Sequence, residues 1–590
     1  VWSRNRFKGL LLGGMLAATA AAVGPIFQPV WPVDTEPVRT AGNFGEIRGN
    51  HFHMGWDIST GGRRGVPVRA VERGRIVRIK VSSGGLGKAL YIAHPNGYTT
   101  VYAHLKAFIP KVEAVVARRM RSLEKYEDDW WLKNSIPVEK GQVIAYSGNT
   151  GGSRSPHLHF EVRESTTEWA VNPAMVGFRI KDIRAPFFYS IALYPLDSHS
   201  VVRVTALDGH VRTATHGQRL RLRVHTRGGK AFYLPNVQSI QARGRIGLAF
   251  AGYDYQEDKF NRFGIFEKKL IVNGKPVFVM RADRLPFSLF RFVNAHIDYA
   301  LKVREGKEYE RLFRLPHNRL PFYKKLVNRG ILTLDSTRAH VTIALKDEFG
   351  NASQLAFSIL PLSADSAQTL ARPMTPPDNL LKVMAPADEL THRTEGLSLY
   401  VPPYSVYDTT ALTFSVDSAC ADCYSPVYRI GNPDIPVHRR FLLRITPERL
   451  PDRLRPYAYV ARREGKRWSY AGGTWKGPAL KARPRTFGAY AVRIDSLPPT
   501  MRFLTRQREI RFNRPRQLRV ALSDRHTGIA SYRVEVDSQF YYPAYWDAKI
   551  GVLKITLDTF LTKGRHQLTV KATDRLGNQR AVSIPIVRLP

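Results

Sequence analysis

Pro156-His157-Leu158-His159-Phe160-Glu161-Val162 is the stretch that decides how the N-terminal part of this chain is read. Polar and apolar residues alternate with period two, the mark of a strand with unlike faces. His157, His159 and Glu161 then share one face, while Leu158, Phe160 and Val162 turn to a core. Two imidazoles therefore project side by side into whatever that face lines. The turn before the strand, Gly148 to Ser155, lacks the Gly-Lys-Ser/Thr ending and the following helix of a phosphate loop.

Working outward, His51-Phe52-His53-Met54-Gly55-Trp56-Asp57 places a second His near an Asp. On a straight strand, side chains four residues apart lie about 13 Å from one another, too far to share an ion. Gly55 and the strand-like Ile58 argue instead for a bent loop that aims His53 and Asp57 at one point. Between the two motifs, a Pro95-Asn96-Gly97 turn joins two alternating strands, and the second carries His104 within reach of His157. A His-x-His strand with a His and an Asp from a loop can supply three metal ligands and one catalytic imidazole. With a fourth position open to water, that is the arrangement of a catalytic zinc site, whereas a structural site is closed. After Pro110, Val112, Val115, Val116, Met120 and Leu123 fall on one face of a predicted helix, followed by the Trp130-Trp131 pair.

These pieces resemble the LytM/lysostaphin-type zinc endopeptidases, which cut peptide cross-links in peptidoglycan. The motifs carrying the resemblance are His53-Met54-Gly55-Trp56-Asp57, Tyr102-Ala103-His104-Leu105 and the Gly-rich turn ending in His157-Leu158-His159-Phe160-Glu161. They occupy residues 41–173, about a quarter of the chain. The resemblance implies that His53, Asp57 and His159 bind Zn²⁺ and that the catalytic pair His104 and His157 flanks the attacking water and the substrate. It implies a D-alanine to diamino acid cross-link as the bond cut, with a glycyl bridge as the alternative. Glu161 stays outside the predicted site, being read equally well as a surface ion-pair partner or as a residue that supports a ligand from behind. His51 is read as loop surface.

The rest of the chain frames this chemistry. Its 590 residues exceed one hydrophobic core. Lys and Arg outnumber Asp and Glu by 90 to 49, a net +41 spread along the whole length. Such charge fits an anionic envelope as well as a nucleic acid, but no nucleic-acid module is recognisable, and none is expected as partner. Residues 1–24, with Arg4, Arg6 and Lys8 before an apolar run and Ala-x-Ala sites, read as a signal peptide or N-terminal anchor. Export to the periplasm or cell envelope follows, with membrane attachment only if this segment stays uncleaved. Cys420 and Cys423 suit a local disulfide. Asn273-Gly274 marks a tight hairpin.

An internal repeat guides the boundaries. Asp182-Ile183-Arg184-Ala185-Pro186 is echoed at Asp495 to Pro499, and Asp347-Glu348-Phe349-Gly350-Asn351 at Asp574 to Asn578. The expected fold class is mainly β: a small antiparallel β-sheet metallopeptidase domain, then β-sandwich (Ig-like) domains. The expected divisions are the metallopeptidase at 25–181 with a helical insertion at 108–136, an Ig-like domain with an insertion at 182–366, a β-rich domain at 367–494 and an Ig-like domain at 495–590. The expected partners are peptidoglycan as substrate and envelope proteins held by the C-terminal β domains. A non-catalytic scaffold or activator of other wall hydrolases is the competing reading.

Overall fold

The computed structural model describes residues 28–256, 261–371, 375–558 and 561–590. The segment read as an export signal, residues 1–24, lies outside them. The protein is mainly β, with a few short helices between its strands. Among the described residues no helix is long and apolar enough to cross a membrane.

The N-terminal sheet is built around the His-x-His strand. Its strands run in the order Thr40–Gly42, Trp56–Ser59, His157–Glu164, Tyr98–Ala103, Ala89–Ala93, Gly74–Val81 and Asp128–Val138, each antiparallel to the next. Trp56, Ile58, Tyr102, Leu158, Phe160 and Val162 are fully buried on one face. Each such side chain contributes roughly 1.5–3 kcal/mol by leaving water. The polar face is buried too: from His157 to Arg163 every residue of the central strand is shielded. Glu161 is only 1% exposed, so its reading as a surface ion-pair partner is corrected.

The predicted helix spans Pro110–Leu123, with Pro at its first position and a left-handed Glu124 closing it. Val112, Val116 and Met120 are buried, whereas Leu123 is 40% exposed because the helix ends there and its last turn points outward. The Trp pair divides between the faces of the edge strand: Trp130 is buried and Trp131 exposed. Strand Asp128–Val138 pairs with Gly74–Val81 at the end of the N-terminal sheet.

Residues 187–361 form a second, larger sheet system around the long strand Val237–Tyr253. The Asn273-Gly274 hairpin is present, both turn residues having positive φ (49° and 77°), as a two-residue primed turn requires. The two systems are stitched together, since Arg284–Leu285 adds to Ala170–Val171 at the margin of the N-terminal sheet. Residues 380–494 carry a six-stranded and a five-stranded sheet over their own core, and Cys420 and Cys423 are disulfide-bonded there. Residues 500–588 form a four-stranded and a five-stranded sheet. Their buried residues join the core of the N-terminal part, not that of the segment preceding them in sequence. Tyr126, just after the helix, forms this seam: it accepts from the Val534 amide at 2.9 Å and stacks on Tyr532.

Candidate metal centre

Strand register brings the predicted site together. Asp57 lies directly opposite His159 in the antiparallel ladder, and Ala103 lies opposite His159 on the other side. Side chains so paired stand about 5 Å apart at Cβ and share one face. His53 reaches the same point because the chain bends at Gly55, where a Cβ would sit 2.2 Å from the Phe160 carbonyl oxygen. Only glycine fits there. His104 follows Ala103 in a left-handed conformation with φ 59°, strain of roughly 1 kcal/mol for a residue with a Cβ. Two bonds hold it: its amide donates to Leu86 O, and its Nδ1 donates to Thr150 O at 2.8 Å.

Three ligand atoms converge. His53 Nε2 lies 3.0 Å from His159 Nδ1 and 3.0 Å from Asp57 Oδ1, and His159 Nδ1 lies 2.9 Å from Asp57 Oδ1. The protons are elsewhere. His53 Nδ1 faces the Asn43 carbonyl at 2.8 Å, which can only accept, and His159 Nε2 faces Glu161 Oε1 at 2.9 Å. Both inward nitrogens therefore present lone pairs to an inward carboxylate oxygen. Arg48 takes the other oxygen, donating from Nη2 to Asp57 Oδ2 at 2.9 Å and to Glu46 at 3.1 Å. Three lone pairs facing one another need a cation among them. Three donors 2.9–3.0 Å apart can each stand ~2.0–2.1 Å from one ion placed above their plane, so the residues fit a zinc ion after a small outward adjustment. The carboxylate behind His159, itself held by Arg163 at 2.6–2.7 Å, and the carbonyl behind His53 are the outer partners that fix tautomer and ring orientation in such sites.

The electrostatics agree with a site built for positive charge. Burial pushes Asp57 up, but His53 and the close imidazoles of His157 and His159 hold its carboxyl well below the usual range. Burial pulls His159 down, yet Asp57 and Glu161 more than compensate and hold it up at about 9. Glu161 is likewise brought down to about 2 against its burial by Arg163 and His159. Without a metal the cluster keeps a proton; a cation would displace it.

The remaining pair stands beside this triangle. His157 Nδ1 donates to Ser155 O at 2.9 Å, leaving a bare Nε2 that is buried without a hydrogen-bond partner and lies 3.2 Å from Asp57 Oδ1. The His104 ring is 5.0 Å from that of His157 and 5.6 Å from that of His159. Burial first, then the neighbouring histidines, lower His104 to about 3, so it is a neutral base. All five side chains are 6–9% exposed, recessed but reachable from solvent. His51 points away, edge-on against Phe290 with ring centroids 5.6 Å apart.

The Gly-rich turn orients both outer imidazoles, through Thr150 O and Ser155 O. Gly151, with φ 69° and its Cβ position only 2.4 Å from Gly85 O, packs it tightly. The C-terminal segment grips the same turn. Lys549 Nζ donates to Ser153 O at 2.8 Å and to the carbonyls of Asn149 and Gly151, and the Gly151 amide donates to the Tyr545 hydroxyl at 2.7 Å. Sequence reasoning missed Asn43, Glu46, Arg48 and these two C-terminal residues. Glu161 did carry a signal, its place two residues after His159 on the same strand face.

The model of Peptidase family M23 matches residues 51–120 and 125–173. Lipoprotein NlpD of Yersinia enterocolitica is 31% identical over 102 residues, 17% of this chain and 81% of that protein. The chain belongs to the M23 peptidase family. The M23 match runs through the segment predicted as an insertion, 108–136, except for residues 121–124. A second model, of a Zu5-like domain, matches residues 382–495. The DD-carboxypeptidase/endopeptidase Mpg of Neisseria meningitidis is 32% identical over 161 residues, 26% of this chain and 31% of that protein. The chain thus spans about a third of that relative's length. Among solved structures, the catalytic domain of a prophage-encoded M23 protein from Enterococcus faecalis is 23% identical, covering 25% of this chain and 98% of that one, with a TM-score of 0.19.

Proposed function

We propose that this M23 protein is a zinc-dependent endopeptidase that hydrolyses peptide cross-links of bacterial peptidoglycan in the periplasm or cell envelope. The observation that carries the reading is the convergence of His53 Nε2, Asp57 Oδ1 and His159 Nδ1 at 2.9–3.0 Å, with the bare nitrogen of His157 beside them. His53, Asp57 and His159 would hold zinc, which supplies Lewis acidity toward the scissile carbonyl and the attacking water. His157 Nε2 is free to accept a proton from that water and return it to the leaving amine. Thr150 O fixes the proton on His104 Nδ1, so the neutral His104 presents the lone pair of its outer nitrogen to the site and can accept a hydrogen bond from the attacking water. The recessed setting keeps these groups partly desolvated, which strengthens each contact.

In the same reading, residues 182–366 and 495–590 are Ig-like modules, 367–494 a further β-rich domain, and the chain is exported by its N-terminal segment. A second function is favoured by one finding: relatives include the Murein hydrolase activator NlpD of Salmonella typhimurium, 29% identical over 147 residues, 25% of this chain and 31% of that protein. Digestion of purified peptidoglycan by the chain alone separates the two. The enzyme converts cross-linked muropeptides to monomers by itself, and His157→Ala abolishes this. An activator leaves the wall intact until another hydrolase is added.

A further inference from the structure

The repeated Asp-x-x-Gly-Asn turn of the sequence brings together a second set of ligand-type side chains, far in chemistry from the histidine site. Asp347 opens the turn that joins strands Ala339–Lys346 and Ala352–Pro361. Asp182 stands where the chain leaves the M23 region, and Asp254 just beyond the end of strand Val237–Tyr253. One carboxylate oxygen from each lies within 4.8 Å of the others. That separation matches two oxygens on opposite sides of one ion at ~2.4 Å.

The neighbours of these carboxylates do not explain the cluster. Asp347 is satisfied: its Oδ1 accepts from the amides of Phe349, Gly350 and Asn351, and its Oδ2 from Asn351 Nδ2. Asp182 accepts from the Arg184 amide, and its carbonyl accepts from Asn351 Nδ2. Asp254 is the exception. It is 3% exposed, and its Oδ1 is sealed from solvent with no hydrogen-bond partner. A buried carboxylate oxygen left in that condition costs several kcal/mol unless it is protonated or meets a cation. Glu348 adds a fourth acidic group, which accepts from Asn43 Nδ2 at 3.3–3.4 Å.

We propose that Asp182, Asp254 and Asp347 bind a calcium ion at the joint between the M23 sheet and the β-module that follows it. The donors are all hard oxygens, one from each of three carboxylates, which suits a large cation of flexible coordination better than zinc or the stricter magnesium. With the ion bound, Asp254 has its missing partner and the anionic cluster is neutralised. Burial and then the neighbouring acids push the Asp254 carboxyl well above its usual range, and bring Glu348 to about 8. The joint also touches the first site: Asn43, held by Glu348, is the residue whose carbonyl orients His53.

The C-terminal module repeats the corner with Asp495, Asp524 and Asp574, down to Asn578 Nδ2 donating both to Asp495 O and to Asp574 Oδ2. There Asp524 is only half-buried and spends its Oδ1 on the amides of His526, Thr527 and Gly528. No carboxylate oxygen of that triad is buried without a partner. The contrast confines the proposal to the first corner.

The test is a calcium titration of the full chain, stripped of divalent ions and then held in saturating zinc, followed by calorimetry and thermal unfolding. Calcium is expected to bind and to raise the midpoint by about 2–4 °C. Asp254→Asn should weaken calcium binding at least about tenfold, while His53→Ala should leave it intact. A wild-type protein indifferent to calcium overturns the proposal, whether or not the variant folds. So does an Asp254→Asn chain that melts above wild type in the presence and absence of calcium, since relief of carboxylate repulsion alone would do that. A response to magnesium without one to calcium overturns the choice of ion.

Discussion

The His53/Asp57/His159 site and the Asp182/Asp254/Asp347 corner are both compact triads, yet their surroundings differ in kind. In the first, each ligand's outer atom is tied to a partner: Asn43 O, Arg48 and Glu161 hold the three donors so that lone pairs face inward. In the second, Asp347 and Asp182 are fixed by their own turns, and Asp254, paired through its backbone with Phe263, keeps one buried carboxylate oxygen without a partner. The first arrangement suits an ion with fixed directional bonds, the second one with flexible coordination. The lesson is that donor type alone does not define a site; what stands behind the donors does.

The contrast can be broken most severely at the first triad. His53→Ala or Asp57→Ala should remove zinc and lower cleavage by about a thousandfold or more, read as metal per chain and as turnover. His157→Ala and His104→Ala should retain stoichiometric zinc and still lose roughly 10²–10⁴ in kcat. Parallel loss of metal in these two would move them among the ligands. Glu161→Gln tests the support behind His159. Zinc affinity should fall about 10–100-fold with the fold intact, measured by chelator competition.

The pH dependence sharpens the same point. In the metal-free protein His159 is raised from 6.5 to about 9, so its protonation stabilises the fold fully below pH 6.5 and that stability is lost as pH rises through about 9. Zinc competes with this proton. The rise in melting temperature on adding zinc should therefore grow between pH 6.5 and 9; a rise that shrinks over that range would place the proton elsewhere. The smallest effect expected is at the C-terminal grip. Lys549→Ala frees the turn that orients His104 and His157, and kcat should drop severalfold with zinc content unchanged. A gain in activity would instead make the C-terminal module a restraint on the site.

Much of the first site was legible because its signals are local. Period-two alternation marked His157 and His159, the Gly55 bend joined His53 to Asp57, and the Pro95-Asn96-Gly97 hairpin delivered His104. The mainly β class was equally visible, and the Asn273-Gly274 turn appears with the φ values its residues favour. What escaped comes from distant chain. Arg48 and Asn43 act through a loop whose path no periodicity reports, and Lys549 reaches a turn 396 residues earlier. The repeated Asp-x-x-Gly-Asn turns could be seen in sequence, but Asp254 could not be joined to them, because it arrives at the end of a 17-residue strand. Leu123 was placed on the covered face for a related reason: helix termination, not periodicity, decided that its side chain is exposed.

The central claim is tested most directly by incubating the full chain with purified peptidoglycan and quantifying new amino termini, with chelator and then with zinc restored. The account predicts new termini that vanish with chelator, return with zinc and are absent for His157→Ala. Release that is indifferent to chelator, or no release from any wall type with zinc bound, would contradict it.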